Sequence, residues 1–486
     1  MQAFAGSFFV RLPLCALALA AAAAPVAAQQ AAPAPGDSVN LSIQDALNRA
    51  LTVGDEVRIA ERRTDVAQAQ LGAARAAQLP RLNTSGAYTH VYESARAQAV
   101  GSIFNQPNTY SANANLSVPL YQGGRAAAGV RGASRTRGAT QAELADTRQA
   151  ATLDVLGAYL DALLADRLVR IQEANLALAE QQLAQAEQLE RAGRQSRYDV
   201  LRARVARANL EPAVIQARAD REAATLELKR LTNLPPEAPL RLTSALQPAE
   251  VRALAESAGA LAVDPAALDS LPAVRAAGLR AEASRAAVTA ARADYLPTVS
   301  VFLQTGYQAF PLTGLPTSFG RLQTIDCPAG SDAGRVCTQQ NGGWFSDRSA
   351  GLQVSWPVFD GFRTRSNVAL ARAQADIAAT QARQAREAAA VQAANTRNAL
   401  QAAQAIFAAS SQNVAEAEEA YRLAALRFSR GLGTQLEVQD AQLALLTART
   451  NEARATHGLY LATAEVSRAL GRPVPLPAAS AAATPR

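Results

Sequence analysis

Lysine is almost missing from this chain. Of 48 lysine and arginine side chains, Lys229 is the single lysine. Aromatic residues make up 5% of the sequence, and histidine occurs twice, at His90 and His457. Each scarcity excludes something. The net charge of +7 sits on arginines that alternate with Glu, Asp and Gln, without interleaved aromatics. That pattern describes solvated helix faces and argues against nucleic-acid binding. Two distant histidines offer no metal cluster. No nucleophile elbow or phosphate loop occurs, so neither an enzyme nor a cofactor is expected. After the N-terminus, no apolar run is long enough for a transmembrane helix. Gly and Pro cluster in a few places, and Ala, Gln, Arg, Leu and Glu fill the rest, which favours long helices over compact α/β domains.

The N-terminus reads as an export signal. Arg11 precedes an Ala/Leu-rich stretch over residues 12–24, and Pro25-Val26-Ala27-Ala28 supplies small residues for cleavage after Ala28. Cys15 lies inside the apolar stretch behind Leu14, which does not fit a lipidation site. Export leaves Cys327 and Cys337, an even pair and hence a disulfide candidate. Residues 29–40 read as a flexible lead, and 473–486 as a disordered Pro/Ala tail.

The rest of the chain says nearly the same thing twice. Ser117-Val-Pro-Leu-Tyr-Gln-Gly-Gly-Arg125 returns as Ser355-Trp-Pro-Val-Phe-Asp-Gly-Phe-Arg363, and Arg191-Ala-Gly-Arg-Gln-Ser-Arg-Tyr-Asp-Val200 as Ser429-Arg-Gly-Leu-Gly-Thr-Gln-Leu-Glu-Val438. The spacing between the two motifs is the same in both copies. The reading is repeat 1 over 41–233, a Pro-rich connector over 234–272 at the waist, and repeat 2 over 273–472. The second copy carries surplus residues between Pro297 and Ser355, so a tolerant loop lies there.

Within each repeat two kinds of segment alternate. In one stretch Tyr110, Ala112, Ala114, Leu116, Val118 and Leu120 share one face and Ser111, Asn113, Asn115 and Ser117 the other, which is a strand with one greasy side. Residues 349–358 repeat the pattern, Val299 to Tyr307 make a third such strand, and 82–92 a weaker fourth. Residues 126–191 contain no proline and keep helical spacing, predicting a rod about 100 Å long, with a counterpart over 364–430. Shorter return helices follow near 199–232 and 437–470, and a helix over 42–79 precedes the first strand. Each repeat thus offers one long rod beside two half rods.

These residues resemble the TolC-like outer-membrane efflux protein family. The strand-to-helix motif Pro-[Leu/Val]-aromatic-x-Gly-x-Arg and the turn motif Gly-x-x-[Ser/Thr]-x-x-[Asp/Glu]-Val each occur twice, in order. The resemblance implies a mixed α/β membrane protein, with long α-helical hairpins forming a periplasmic tunnel. It further implies a homotrimer pooling four amphipathic strands per chain into a 12-stranded transmembrane β-barrel in outer-membrane lipid. The implied function is a passive exit duct for tripartite efflux or type I secretion in a Gram-negative bacterium. The implied partners are a periplasmic adaptor protein and an inner-membrane pump. The rival reading is a soluble periplasmic coiled-coil scaffold or adaptor. The resemblance places partner contacts at the hairpin tips, at Gly193, Ser196, Gly431, Gly433 and Thr434. It places a periplasmic constriction at Asp199, Phe428, Glu437, Asp440 and Arg194. Gly433 stands where the family has a gate arginine, and Arg194 or Arg191 is the candidate replacement. Glu437 and Asp440 share a helix face and either ring the channel axis or simply face water at a helix start.

Overall fold

The computed structural model describes residues 39–93, 95–100, 107–260, 265–311, 315, 322–326, 336–340 and 343–476. The leader, Cys327 and the last ten residues lie outside them, so the cleavage site and the disulfide expectation do too.

In chain order, β1 (Val39–Leu41) leads into α1 (Ile43–Val53) and α2 (Asp55–Ala76). The strand β2 (Arg81–His90), the short helix α3 (Ala95–Val100) and β3 (Asn108–Gln122) follow. The long helix α4 (Arg125–Arg191) and its return α5 (Arg197–Leu231) complete the first half. A middle segment holds β4 (Leu240–Leu242), α6 (Pro248–Gly259) and α7 (Pro265–Asp269). The second half runs α8 (Pro272–Arg292), β5 (Thr298–Ala309), the hairpin β6 (Leu322–Asp326) and β7 (Val336–Gln340), and β8 (Trp344–Ser355). It ends with α9 (Arg363–Ser429) and α10 (Gln435–Ala469).

The long helices are Ala-rich and free of interior proline. High intrinsic propensity therefore carries both α4 and α9 through 67 residues, about 100 Å. Each starts after two consecutive left-handed residues: Gly123 and Gly124 before α4, Gly361 and Phe362 before α9. A β-carbon on Gly123 would stand 2.6 Å from the Ala293 carbonyl oxygen, so this corner needs glycine twice over. Ion pairs show what lies along each stretch of α4. Its sheet-proximal half meets α2 through Arg148–Glu61 at 2.8 Å and α8 through Arg135–Glu282 at 2.9 Å. Its distal half meets α5 through Arg218–Glu173 at 2.6 Å and Arg204–Glu187 at 3.2 Å.

The core sits where the half rods meet. Leu41, Ile43, Leu47, Leu156, Tyr159, Leu228, Val251, Leu400, Leu459 and Tyr460 form one buried cluster. The Tyr159 hydroxyl donates to the Leu41 carbonyl at 2.9 Å and accepts from the Ser244 amide at 3.1 Å. Burial pushes the Tyr159 and Tyr460 phenols up from their ordinary range.

Several expectations need correcting here. The helix expected over 42–79 is two helices: Gly54 interrupts it with extended backbone, and a β-carbon there would lie 2.2 Å from the Ala50 carbonyl oxygen. The lead expected to be flexible to residue 40 already pairs at Val39 and Asn40, in a parallel ladder with Leu240 and Arg241. The tail is packed as far as Leu476: Val474 and Leu476 touch the core, and the Tyr460 hydroxyl donates to the Pro475 carbonyl at 2.9 Å.

The main sheet is antiparallel throughout, in the order β2-β3-β5-β8. Register aligns Leu82, Leu116, Leu303 and Ala350 in one row and Val118, Val301 and Leu352 in the next. The polar face carries Asn83, Asn115, Gln304 and Ser349 across the same strands. A bulge between Pro119 and Tyr121 drops Leu120 out of register and brings Tyr121 opposite Val299, on the apolar side. The β8 ladder stops at Ser355, so Trp356 and Val358 lie past it; Pro357 has no amide to continue the pairing.

Candidate functional site

The two hairpin tips share one backbone. After α4, the Gly193 amide donates to the Glu190 carbonyl and the Arg194 amide to that of Leu189, both at 2.8 Å. After α9, Gly431 and Leu432 repeat this to Phe428 and Arg427 at 2.9 Å. Gly193 and Gly431 both take the left-handed conformation, with φ of 68° and 74°. A second pair of such turns, at Asn233 and Gly471, ends α5 and α10. Its sequence signal is the shared Arg-x-x-[Asn/Gly]-x-Pro of residues 230–235 and 468–473, short enough to escape the sequence reading.

The side chains of the tips differ. In the first, Ser196 and Asp199 form a reciprocal capping box: the Asp199 amide donates to Ser196 Oγ and the Ser196 amide donates to Asp199 Oδ2, both at 3.3 Å. Asp199 is thereby occupied with its own helix start. In the second, the Glu437 amide donates to Thr434 Oγ1 at 3.3 Å, while Glu437 Oε2 lies 3.8 Å from the Arg427 guanidinium. Arg427 also donates to the Leu432 carbonyl at 3.3 Å.

Among the described residues, Glu437 thus has Arg427 as its ion-pair partner. Arg191 lies 3.9 Å from Glu187, and Arg194 is exposed with no ion pair among the described residues. Gly433 packs tightly: a β-carbon there would meet Arg427 Cβ and Glu437 Oε2 at 3.2 Å. Phe428 is half-buried beside this turn. Asp440 is exposed and lines a groove between α9 and α10 with Asn413, Glu416 and Thr447.

A further set of contacts, absent from the sequence reading, ties the tips together. Gln195 Nε2 donates to Gln435 Oε1 at 3.3 Å, and Gln182 Nε2 to Gln442 Oε1 at 2.7 Å. Gln442 Nε2 in turn donates to Asn175 Oδ1 at 2.6 Å. Asn175, Gln435 and Gln442 are buried. This ladder of neutral amides joins α4 to α10, one hairpin to the other. Its signal is the seven-residue spacing of Asn175 with Gln182 and of Gln435 with Gln442, hidden among many other glutamines.

Two apolar seams have no partner among the described residues. On α5, Tyr198, Leu201, Val205, Ile215 and Leu226 are exposed at coiled-coil spacing. On α9, Leu370, Ile377 and Val391 do the same. Among the described residues there is no metal-binding cluster of His, Cys, Asp and Glu, and no helix long and apolar enough to cross a membrane.

This is a doubled helical-hairpin framework that carries an amphipathic sheet at one end and paired turns at the other. The model of the outer membrane efflux protein family matches the chain in two stretches, residues 42–234 and 265–472. The chain therefore belongs to that family. It is 26% identical over 346 residues to the outer membrane efflux protein BepC of Brucella suis, covering 69% of this chain and 66% of the relative. It is 26% identical over 288 residues to the solvent efflux pump outer membrane protein SrpC of Pseudomonas putida, covering 58% and 54%. Both matches thus span less than two thirds of the relative's length. The outer membrane protein VceC of Vibrio cholerae shares the fold, with a TM-score of 0.70 at 21% identity over 89% of this chain and 97% of that one.

Proposed function

We propose that the chain is the outer-membrane duct of a tripartite efflux or type I secretion system, a passive channel across the outer membrane and periplasm of a Gram-negative bacterium. The observation that carries the reading is the sheet. Leu82, Leu303, Leu352 and Val354 are exposed on one face. The outer edges of β2 and β8 pair with nothing among the described residues. An apolar face suits lipid, but unpaired edges in lipid are costly, so the sheet must close on copies of itself. Three chains of four strands make a 12-stranded barrel of ordinary size.

The exposed seams on α5 and α9 suit the same assembly, since each provides a coiled-coil face for a neighbouring chain. Below the barrel, rods of about 100 Å span periplasmic depth as a tunnel. The tips at Gly193 and Gly431 then meet the hairpins of a periplasmic adaptor, with an inner-membrane pump behind it. Asp199, Arg194, Phe428, Glu437 and Asp440 surround the narrow end. The family name and the efflux relatives support this reading, and the exposed apolar face argues against a soluble scaffold.

The test is to delete the gene and complement it. Loss of solvent or drug tolerance, restored by the wild type, together with discrete conductance steps of the purified protein in planar bilayers, is the expected result. A protein that never inserts into bilayers and whose loss leaves tolerance unchanged contradicts it.

A further inference from the structure

One charged residue lies on the apolar face of the sheet. Arg348 of β8 is in register with Thr305 of β5, which pairs with Ala114 of β3, which pairs with Thr84 of β2. The next row toward the helices is Leu82, Leu116, Leu303 and Ala350, so Arg348 stands on the lipid side, not the lumen side. It is exposed, and it has no ion pair among the described residues.

Its depth is informative. From Arg348 to Trp356 the chain descends about 20 Å, at about 3.3 Å per residue and a tilt of about 40°. That is close to the height of a barrel's apolar band. Above Arg348 come Ser346 and Tyr307, then the aromatic row of Tyr88, Tyr110 and Trp344. The Tyr88 and Tyr110 rings stack with centroids 4.7 Å apart, and those of Tyr110 and Trp344 are 6.4 Å apart. The guanidinium therefore sits near the outer end of that band, with two threonine hydroxyls in its row and the aromatic girdle two rows above. An arginine is expensive at the midplane of a barrel and nearly free at this level, where its fork can take a phosphate.

We propose that Arg348, with Thr305 beside it, holds a phosphate group of an outer-leaflet phosphoglycolipid, one per chain. This rests on the barrel reading above. Three arginines would collect three such lipids around one barrel and fix its height in the membrane.

The test is native mass spectrometry of the full-length protein in detergent, with bis-phosphorylated lipid A, the same lipid after enzymatic dephosphorylation, and inorganic phosphate as probes. Wild type is expected to bind lipid A about tenfold more tightly than R348Q, with R348K in between. Dephosphorylated lipid should bind wild type and R348Q alike, and millimolar phosphate should not displace lipid A. Equal binding by R348Q overturns the proposal, as does displacement by phosphate alone, which would mark a free-anion site. An R348Q protein that falls apart into single chains also overturns it, since Arg348 would then be a contact between chains. A wild-type protein that is monomeric and does not conduct takes down the barrel reading as well. One that is trimeric and conducts, but does not discriminate between the lipids, takes down this proposal alone.

Discussion

The tip between α4 and α5 and the tip between α9 and α10 have the same backbone and different chemistry. Both end in a left-handed glycine with the same pair of amide–carbonyl bonds, and both begin the next helix at a hydroxyl cap. In the first, the acid three residues after the cap turns back onto its own helix start. In the second, the acid accepts only a long 3.5 Å bond from its cap hydroxyl, none from the cap amide, and its other oxygen reaches toward Arg427 on the opposite helix. The difference teaches that the fold constrains the turn, while the side chains around it are free to diverge. A carboxylate closed into a capping box has little left for a channel axis. One held 3.8 Å from an exposed arginine is easily released.

The largest effect should come from what joins the tips. Gln442→Leu leaves the Asn175 side chain buried without its donor, at a cost of about 1–3 kcal/mol. Hydrogen exchange should show lost protection in α10 near residue 442 and in α4 near 175, with no dependence on salt, because the ladder is uncharged. Strong salt dependence would mean that ion pairs hold the seam instead.

Gly193→Val and Gly431→Val should each cost about 1–2 kcal/mol, because each forces a branched side chain into the left-handed region. Similar losses of protease resistance at the two tips would support a shared backbone constraint, and a loss confined to one tip would break the comparison. Ser196→Ala should cost about 1 kcal/mol, and Thr434→Ala less, since the second cap lacks the reciprocal bond back to its own backbone. Thermal unfolding followed by circular dichroism separates the two.

The smallest change in stability, within about 0.5 kcal/mol, is expected for Glu437→Gln combined with Asp440→Asn, since both groups are exposed. In planar bilayers this pair should nevertheless lower cation selectivity and weaken block by a trivalent cation added on the tip side. Asp199→Asn should do neither. If all three behave alike, the carboxylates are solvated helix starts and the tips differ in name only.

The sequence showed what a repeated period can show. The strand-to-helix corners at Gly123 and Gly361 and the tips at Gly193 and Gly431 were legible because identical spacing fixes identical geometry. Long helices were legible from the absence of proline between 126 and 191. What escaped depends on contacts that carry no periodic signal, some local and some between distant segments. The break at Gly54 arises from a carbonyl one turn away in a stretch whose apolar spacing continues unbroken. The β1–β4 ladder joins three-residue strands two hundred residues apart, too short to carry a period. Arg427 has no sequence signal as a partner of Glu437, because only the folded turn brings residue 427 back toward 437. Neutral amides such as Gln442 carry no signal until their burial is known.

The account stands on the unpaired edges of the sheet, and the mass of the detergent-extracted particle tests it most directly. Light scattering corrected for bound detergent should give a protein mass of three chains, each of at most 50.8 kDa. A particle with the mass of one chain that still conducts ions across a bilayer would contradict the account.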